Sequence, residues 1–149
     1  MGVQIDESGR RSVQAYVLVG GSPGLIWEAI ATGSGLSSWF VPASFVPPEG
    51  GMGSQLHAAR GTGPDVVVTV TSWEPTSKFT TESHDLGENA PVVSTEWSIE
   101  RRSGGKFLVR VVRSVTATTN EWDEALENWE AGWPAFFDNL RDYVEQPGG

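Results

Sequence analysis

One stretch constrains this chain more than any other: residues 120–144, NEWDEALENWEAGWPAFFDNLRDYV. Its apolar residues are Trp122, Leu126, Trp129, Trp133, Phe136, Phe137, Leu140 and Val144. Apart from the adjacent pair Phe136–Phe137 they recur at steps of three and four, which puts them on one stripe of a helix. Three of the chain's seven tryptophans lie on that stripe. A helix with so aromatic a face needs a concave, mostly apolar partner, and the upstream sequence reads as the strands that would supply it.

Residues 12–19 alternate, with Val13, Ala15, Val17 and Val19 on one face, as a half-buried strand requires. Gly20-Gly21 breaks it. Ser22-Pro23 then supplies a helix N-cap and a first helical residue with no N–H to satisfy. The following helix carries Ile26, Trp27 and Ile30 on one stripe, and Gly33 is expected to end it. A second short helical piece holds Leu36, Trp39 and Phe40 before Pro42. From residue 43 to 119 glycine, proline and β-formers dominate. Strands are expected over 43–46, 54–60, 65–74, 78–83, 92–101 and 106–116. The turns between them fall at 61–64, 75–77 and 102–105, with a polar loop over 85–91. Residues 118–120 offer N-cap candidates for the long helix. One residue breaks its pattern: Pro134, in mid-helix, removes the hydrogen bond to the Glu130 carbonyl at a cost of about 3 kcal/mol. A kink over 130–134 is expected, or two consecutive helices meeting there.

Closely spaced strands joined by short turns make an antiparallel sheet. The order strand, two helices, run of strands, long helix makes the fold α+β, with six or seven strands. At 149 residues one domain with a proper core is expected, spanning 12–145. Residues 1–11 read as a flexible segment, and 146–149 as a tail or the start of a linker. A twisted sheet that wraps the helix incompletely leaves a cavity, the usual place for a ligand.

Composition narrows the function. Net charge is −9, and residues 121–145 hold eight acids against one base, Arg141. A solvated helix face explains this, and a docking surface for a basic partner is the alternative. Phosphate backbones are repelled, so nucleic acid is not an expected partner. There are no cysteines, which suits a reducing compartment. No run of about 18 apolar residues appears, so no membrane span is expected, and residues 1–11 lack the apolar core of a secretory signal. The cytoplasm is the expected location.

Four short motifs follow one another along the chain: Ile26-Trp27-Glu28-Ala29-Ile30-Ala31-Thr32, Leu36-Ser37-Ser38-Trp39-Phe40-Val41-Pro42, Val70-Thr71-Ser72-Trp73-Glu74-Pro75, and Gly132-Trp133 through Asn139-Leu140. In this order and spacing they resemble the SRPBCC superfamily of START lipid-transfer domains, birch-pollen-allergen proteins and polyketide cyclases. The nearest resemblance is to its branch related to the activator of heat-shock-protein-90 ATPase. The resemblance implies a helix-grip fold, in which a curved antiparallel sheet wraps a long C-terminal helix. It says less about function, because this fold hosts many activities.

Alternation over 106–116 puts Phe107, Val109, Val111, Arg113 and Val115 on the face toward the long helix. Arg113 is the odd member, an inward cation that requires either a carboxylate partner or a ligand anion. Over 92–101 the inward face is Val93, Thr95, Trp97 and Ile99. The aromatic residues serve as core packing or as cavity wall. The expected ligand-lining set is Trp39, Phe40, Trp73, Trp97, Val111, Arg113, Trp129, Trp133 and Phe137. The two histidines, His57 and His84, lack metal-ligand spacing. There is no G-x-S-x-G elbow and no phosphate-loop pattern, and no catalytic residue, metal or cofactor is assigned. Three readings follow: a binding domain for a lipid-like or aromatic small molecule, a chaperone-activator-like protein-interaction module, or a cyclase- or hydrolase-like enzyme. The last is the weakest, since His57 with Arg113 is the only acid–base pair on offer. A monomer and a homodimer are both compatible with the sequence.

Overall fold

The computed structural model of the chain describes residues 2–59, 66–84, 90–117 and 119–145. The expected turn at 61–64, most of the loop at 85–91, the cap candidate Thr118 and the tail 146–149 lie outside the described residues. In chain order the elements are β1 (Gln4–Ile5), β2 (Arg10–Gly20), α1 (Pro23–Ala31), α2 (Gly33–Trp39), β3 (Ala43–Val46), β4 (Gln55–Ala58), β5 (Val66–Glu74), β6 (Lys78–Ser83), β7 (Val93–Arg101), β8 (Lys106–Thr116) and α3 (Asp123–Glu145). The strands form one antiparallel sheet in the order β1-β2-β8-β7-β6-β5-β4-β3. From β3 to β8 this is a meander. The N-terminal strand β2 then pairs along its whole length with the last strand, β8.

Among the described residues the sheet has eight strands against the six or seven expected. The extra one lies in the N-terminal segment, where Gln4 pairs with Ser12 and Ile5 with Arg11. A polar turn makes the hairpin: Asp6 Oδ1 accepts from the N–H groups of Ser8 (2.9 Å) and Arg10 (3.0 Å), and Gly9 takes a φ of 86°. Such Asx turns need no apolar residue, so polarity alone concealed the strand.

Ser22 caps α1, its hydroxyl accepting from Leu25 N–H at 3.2 Å. Gly33 does not end that helix. Thr32, in an extended conformation, separates the two helices, and its hydroxyl accepts from Gly35 N–H at 2.9 Å to cap α2. A β-branched hydroxyl residue serves as stop and start at once.

α3 lies on the concave face of the sheet. Leu126, Trp133, Phe137, Leu140 and Val144 are its buried residues, spaced by two turns and then by four or three residues as the periodicity requires. The helix is continuous through Pro134, so the two-helix alternative does not occur. Pro134 is exposed, which leaves the Glu130 carbonyl on a side of the helix where water can replace the lost donor. The main core gathers Val17, Val19, Val109 and Val111 from the sheet, Ile26 and Ile30 from α1, and the α3 stripe. A smaller cluster, Val13, Val93, Val115 and Leu126, packs the first turn of α3 onto the sheet.

Both ends of α3 are tied to β2. Arg11 reaches Asp123 at 2.9 Å, and the Gly20 N–H donates to Glu145 Oε2 at 2.6 Å. That backbone N–H, more than any other group, holds the Glu145 carboxyl below its ordinary 4.5, with Lys106 and Arg141 nearby adding to it. A depressed carboxyl contributes stability above its unfolded pKa and loses it as pH falls through the folded one. The Glu145→Gln variant should therefore show a shallower loss of thermal stability below pH 4.5 than the parent; identical acid limbs would show that the tie contributes nothing.

Candidate functional site

The inner face of the sheet is ordered in rows, because antiparallel register places partner side chains side by side. One row is aromatic: Val111 of β8 pairs with Trp97 of β7, Trp97 with Phe79 of β6, and Phe79 with Trp73 of β5. Trp97 and Phe79 are stacked, with an interplanar angle of 9°. The next row is polar: Arg113 pairs with Thr95, and Thr95 with Thr81. α3 crosses above both rows. Trp133 meets Trp97 edge-on at 5.3 Å, and the Arg113 guanidinium stands over the Trp129 ring at 5.2 Å, a cation–π distance.

Between these rows, α3 and the end of α2 is a cavity of about 590 Å³, in the range of small-molecule sites. Phe40, Trp97, Trp129, Trp133 and Phe136 form its aromatic wall, and Leu56 and Val68 close the side formed by β4 and β5. Its polar atoms come from Thr81, Thr95, Arg113 and Asn128. Among the described residues that line it, Arg113 is the only ionisable one. Thr81 is buried and Thr95 half-buried.

Of the residues expected to line a site, Phe40, Trp97, Arg113, Trp129 and Trp133 stand in the cavity wall. Trp39, Trp73, Val111 and Phe137 lie behind it, in the core. Trp39 is held there by its indole N–H, which donates to the Ala29 carbonyl at 2.8 Å. Trp73 packs edge-on against Trp27 at 5.2 Å. Phe137 sits against Trp133 at 5.0 Å. Their stripe and strand positions were legible; their depth depends on how far α1 and α2 cover one end of the sheet. Thr81 and Asn128 were missed. For Thr81 alternation on β6, in register with Thr95, was the available signal. His57 falls on the face of β4 opposite Leu56 and Ala58, which line the cavity. It therefore cannot pair with Arg113 across the site. No cluster of His, Cys, Asp or Glu among the described residues suits a metal.

The family model for Activator of Hsp90 ATPase homolog 1-like protein matches residues 21–145. The chain belongs to this family. No curated protein matches it. Among solved structures, CalU16 from Micromonospora echinospora superposes with a TM-score of 0.72 at 17% identity, covering 99% of this chain and 83% of that one. The Aha1 dimer from Colwellia psychrerythraea gives 0.72 at 20% identity, over 93% of this chain and 98% of that one. DynU16, a protein in the dynemicin biosynthetic locus, gives 0.73 at 21% identity, over 91% of this chain and 47% of that one. These likenesses show the fold, the helix-grip arrangement of a curved antiparallel sheet around a C-terminal helix.

In this Activator of Hsp90 ATPase homolog 1-like chain the tryptophans of the four motifs converge on one core. Trp27 meets Trp73, and Trp39 meets Trp133. The glycine of the last motif, Gly132, lies on the cavity rim with open space where its Cβ would be. Packing does not demand glycine there, and in a helix interior glycine is about 1 kcal/mol worse than alanine. Gly132→Ala should raise stability by about that amount, read as a higher denaturation midpoint in urea. A fall would mean that this turn of α3 needs a conformation alanine resists.

Proposed function

We propose that this chain is a single binding domain, spanning 12–145, for a lipid-like or aromatic small molecule, held between the sheet and α3. The observation that carries this reading is the 590 Å³ cavity walled by Phe40, Trp97, Trp129, Trp133 and Phe136. Burial of apolar ligand surface there would be favourable at roughly 25 cal/mol per Å², and the tryptophans would report it. The site favours binding over chemistry: among the described lining residues there is no carboxylate and no histidine to form an acid–base pair. We take the cytoplasm as its location, consistent with a cysteine-free chain in which no described helix is long and apolar enough to cross a membrane. The test is a titration with a hydrophobic dye and with fatty acids, read by quenching of tryptophan fluorescence. Saturable quenching by one ligand per chain supports the reading, and its absence across both probe types removes it.

A second reading rests on family membership: a protein-interaction module that presents the acidic outer face of α3, including the exposed Glu124, Glu127, Asp138 and Asp142, to a basic partner surface. Stimulation of an Hsp90 ATPase by the purified protein, weakened by added salt, would support it. Unchanged ATPase turnover would count against it.

A further inference from the structure

We propose that Gly132 is the threshold of the cavity: the ligand enters over the bare backbone of α3 at this residue, and the missing side chain sets what can pass. The inference rests on the binding reading above and names the residue that governs access to that same site.

Two observations carry it. The first locates the opening. Among the described residues that line the cavity, only Asn128 and Gly132 are exposed; the rest are buried or half-buried. These two stand one turn apart on α3, so they share one edge of the helix, and the cavity meets solvent along that edge. Ile30, Leu36 and Phe79 of the same wall are withdrawn from solvent, so the cavity is shut on their side.

The second observation is the glycine itself. In a helix interior glycine is about 1 kcal/mol worse than alanine, so its presence calls for a reason. Backbone conformation does not supply one, since Gly132 is not among the described glycines of positive φ. Close packing does not supply one either: a Cβ there would meet nothing within 4 Å among the described residues. Gly35 is the contrast, where a Cβ would overlap the Glu28 carbonyl oxygen. The remaining use of glycine is to let backbone come close to a ligand. At Gly132 the open space is the mouth of the cavity. Asn128 and Phe136, one turn to either side, also line the cavity and carry side chains, so Gly132 is the gap between them. A large side chain at 132 would stand in the path.

Stopped-flow mixing with two fluorescent probes tests the threshold: N-phenyl-1-naphthylamine, a neutral apolar dye, and cis-parinarate, a fatty acid. Both brighten in apolar surroundings and report entry and exit rates. For a probe that binds the parent, Gly132→Phe should slow association about tenfold or more. Dissociation should slow with it, because a narrowed passage is met in both directions. Ala131→Phe puts the same ring on the neighbouring exposed residue, which does not line the cavity, and should keep the parent's rates. Gly132→Ala should also stay near the parent, since one methyl group in open space narrows little. Parental association in Gly132→Phe overturns the threshold while leaving the binding domain standing. Faster dissociation at an unchanged association rate overturns it too, by making Gly132 part of the ligand's seat, and so does equal slowing in Ala131→Phe. Should Gly132→Phe not fold, Asn128→Phe on the same edge decides the matter by the same rates. If neither probe binds the parent, the binding reading fails, and the threshold with it.

Discussion

Replacing Trp133 by alanine should cost about 3–5 kcal/mol of folding stability, the range for removing a large buried aromatic. Trp133 is 4% exposed and stands where helix, sheet and helical cap meet. Its ring lies 5.0 Å from Phe137, 5.2 Å from Phe40, and 5.3 Å from both Trp97 and Trp129. Those neighbours come from the C-cap of α2, from β7 and from α3, so no single element can move in to fill the void. The loss would be read from urea denaturation, where the midpoint should fall with little change in slope. Trp133→Phe should lose far less, since the apolar body is kept and buried aromatic contacts survive. A loss below about 1 kcal/mol for the alanine variant would mean that the cavity already acts as slack around this ring. The same substitution enlarges the cavity, so bulkier aromatic probes should gain relative to smaller ones.

Gly35→Ala should be nearly as damaging, by about 3 kcal/mol, although it adds one methyl group. α1 and α2 cross in contact at this residue. A Cβ on Gly35 would overlap the Glu28 carbonyl oxygen and lie 2.8 Å from the Ala29 Cα, and both are helix backbone that cannot rotate aside. The helices must separate. That strains the Trp39 hydrogen bond to the Ala29 carbonyl and displaces Leu36 and Phe40, which line the cavity. The measurement is the thermal midpoint beside Ser34→Ala, a change at the exposed neighbouring position that should have little effect. Equal midpoints for the two variants would show that α2 shifts without cost. The Gly35 variant should also bind probes more weakly, because it moves one wall of the site.

Both expectations concern places where elements meet, and there the reading of the sequence was thinnest. The α3 stripe was legible from Leu126 to Val144, since a spacing of three and four residues specifies one helix face whatever it packs against; Trp122, read as its first member, lies just before the helix. Strand positions from 43 to 116 were legible to within a residue or two at most boundaries, because β-branched runs bounded by glycine and proline leave few alternatives. Arg113 was identifiable as an inward cation by parity alone. Parity turned Val111 inward and the helical stripe did the same for Phe137, but neither could tell core from cavity wall.

The sequence by itself determined which face each strand and helix turns inward, since side-chain direction is a local property of backbone period. It also determined the family, through four motifs in order. Only the tertiary structure decided depth and adjacency. The pairing of β2 with β8 joins residues about a hundred positions apart, and the register of β6, β7 and β8 sets Thr81, Thr95 and Arg113 side by side. Register between distant strands is settled by the sum of all their contacts. The polar row at the floor of the cavity is therefore a property of the folded sheet.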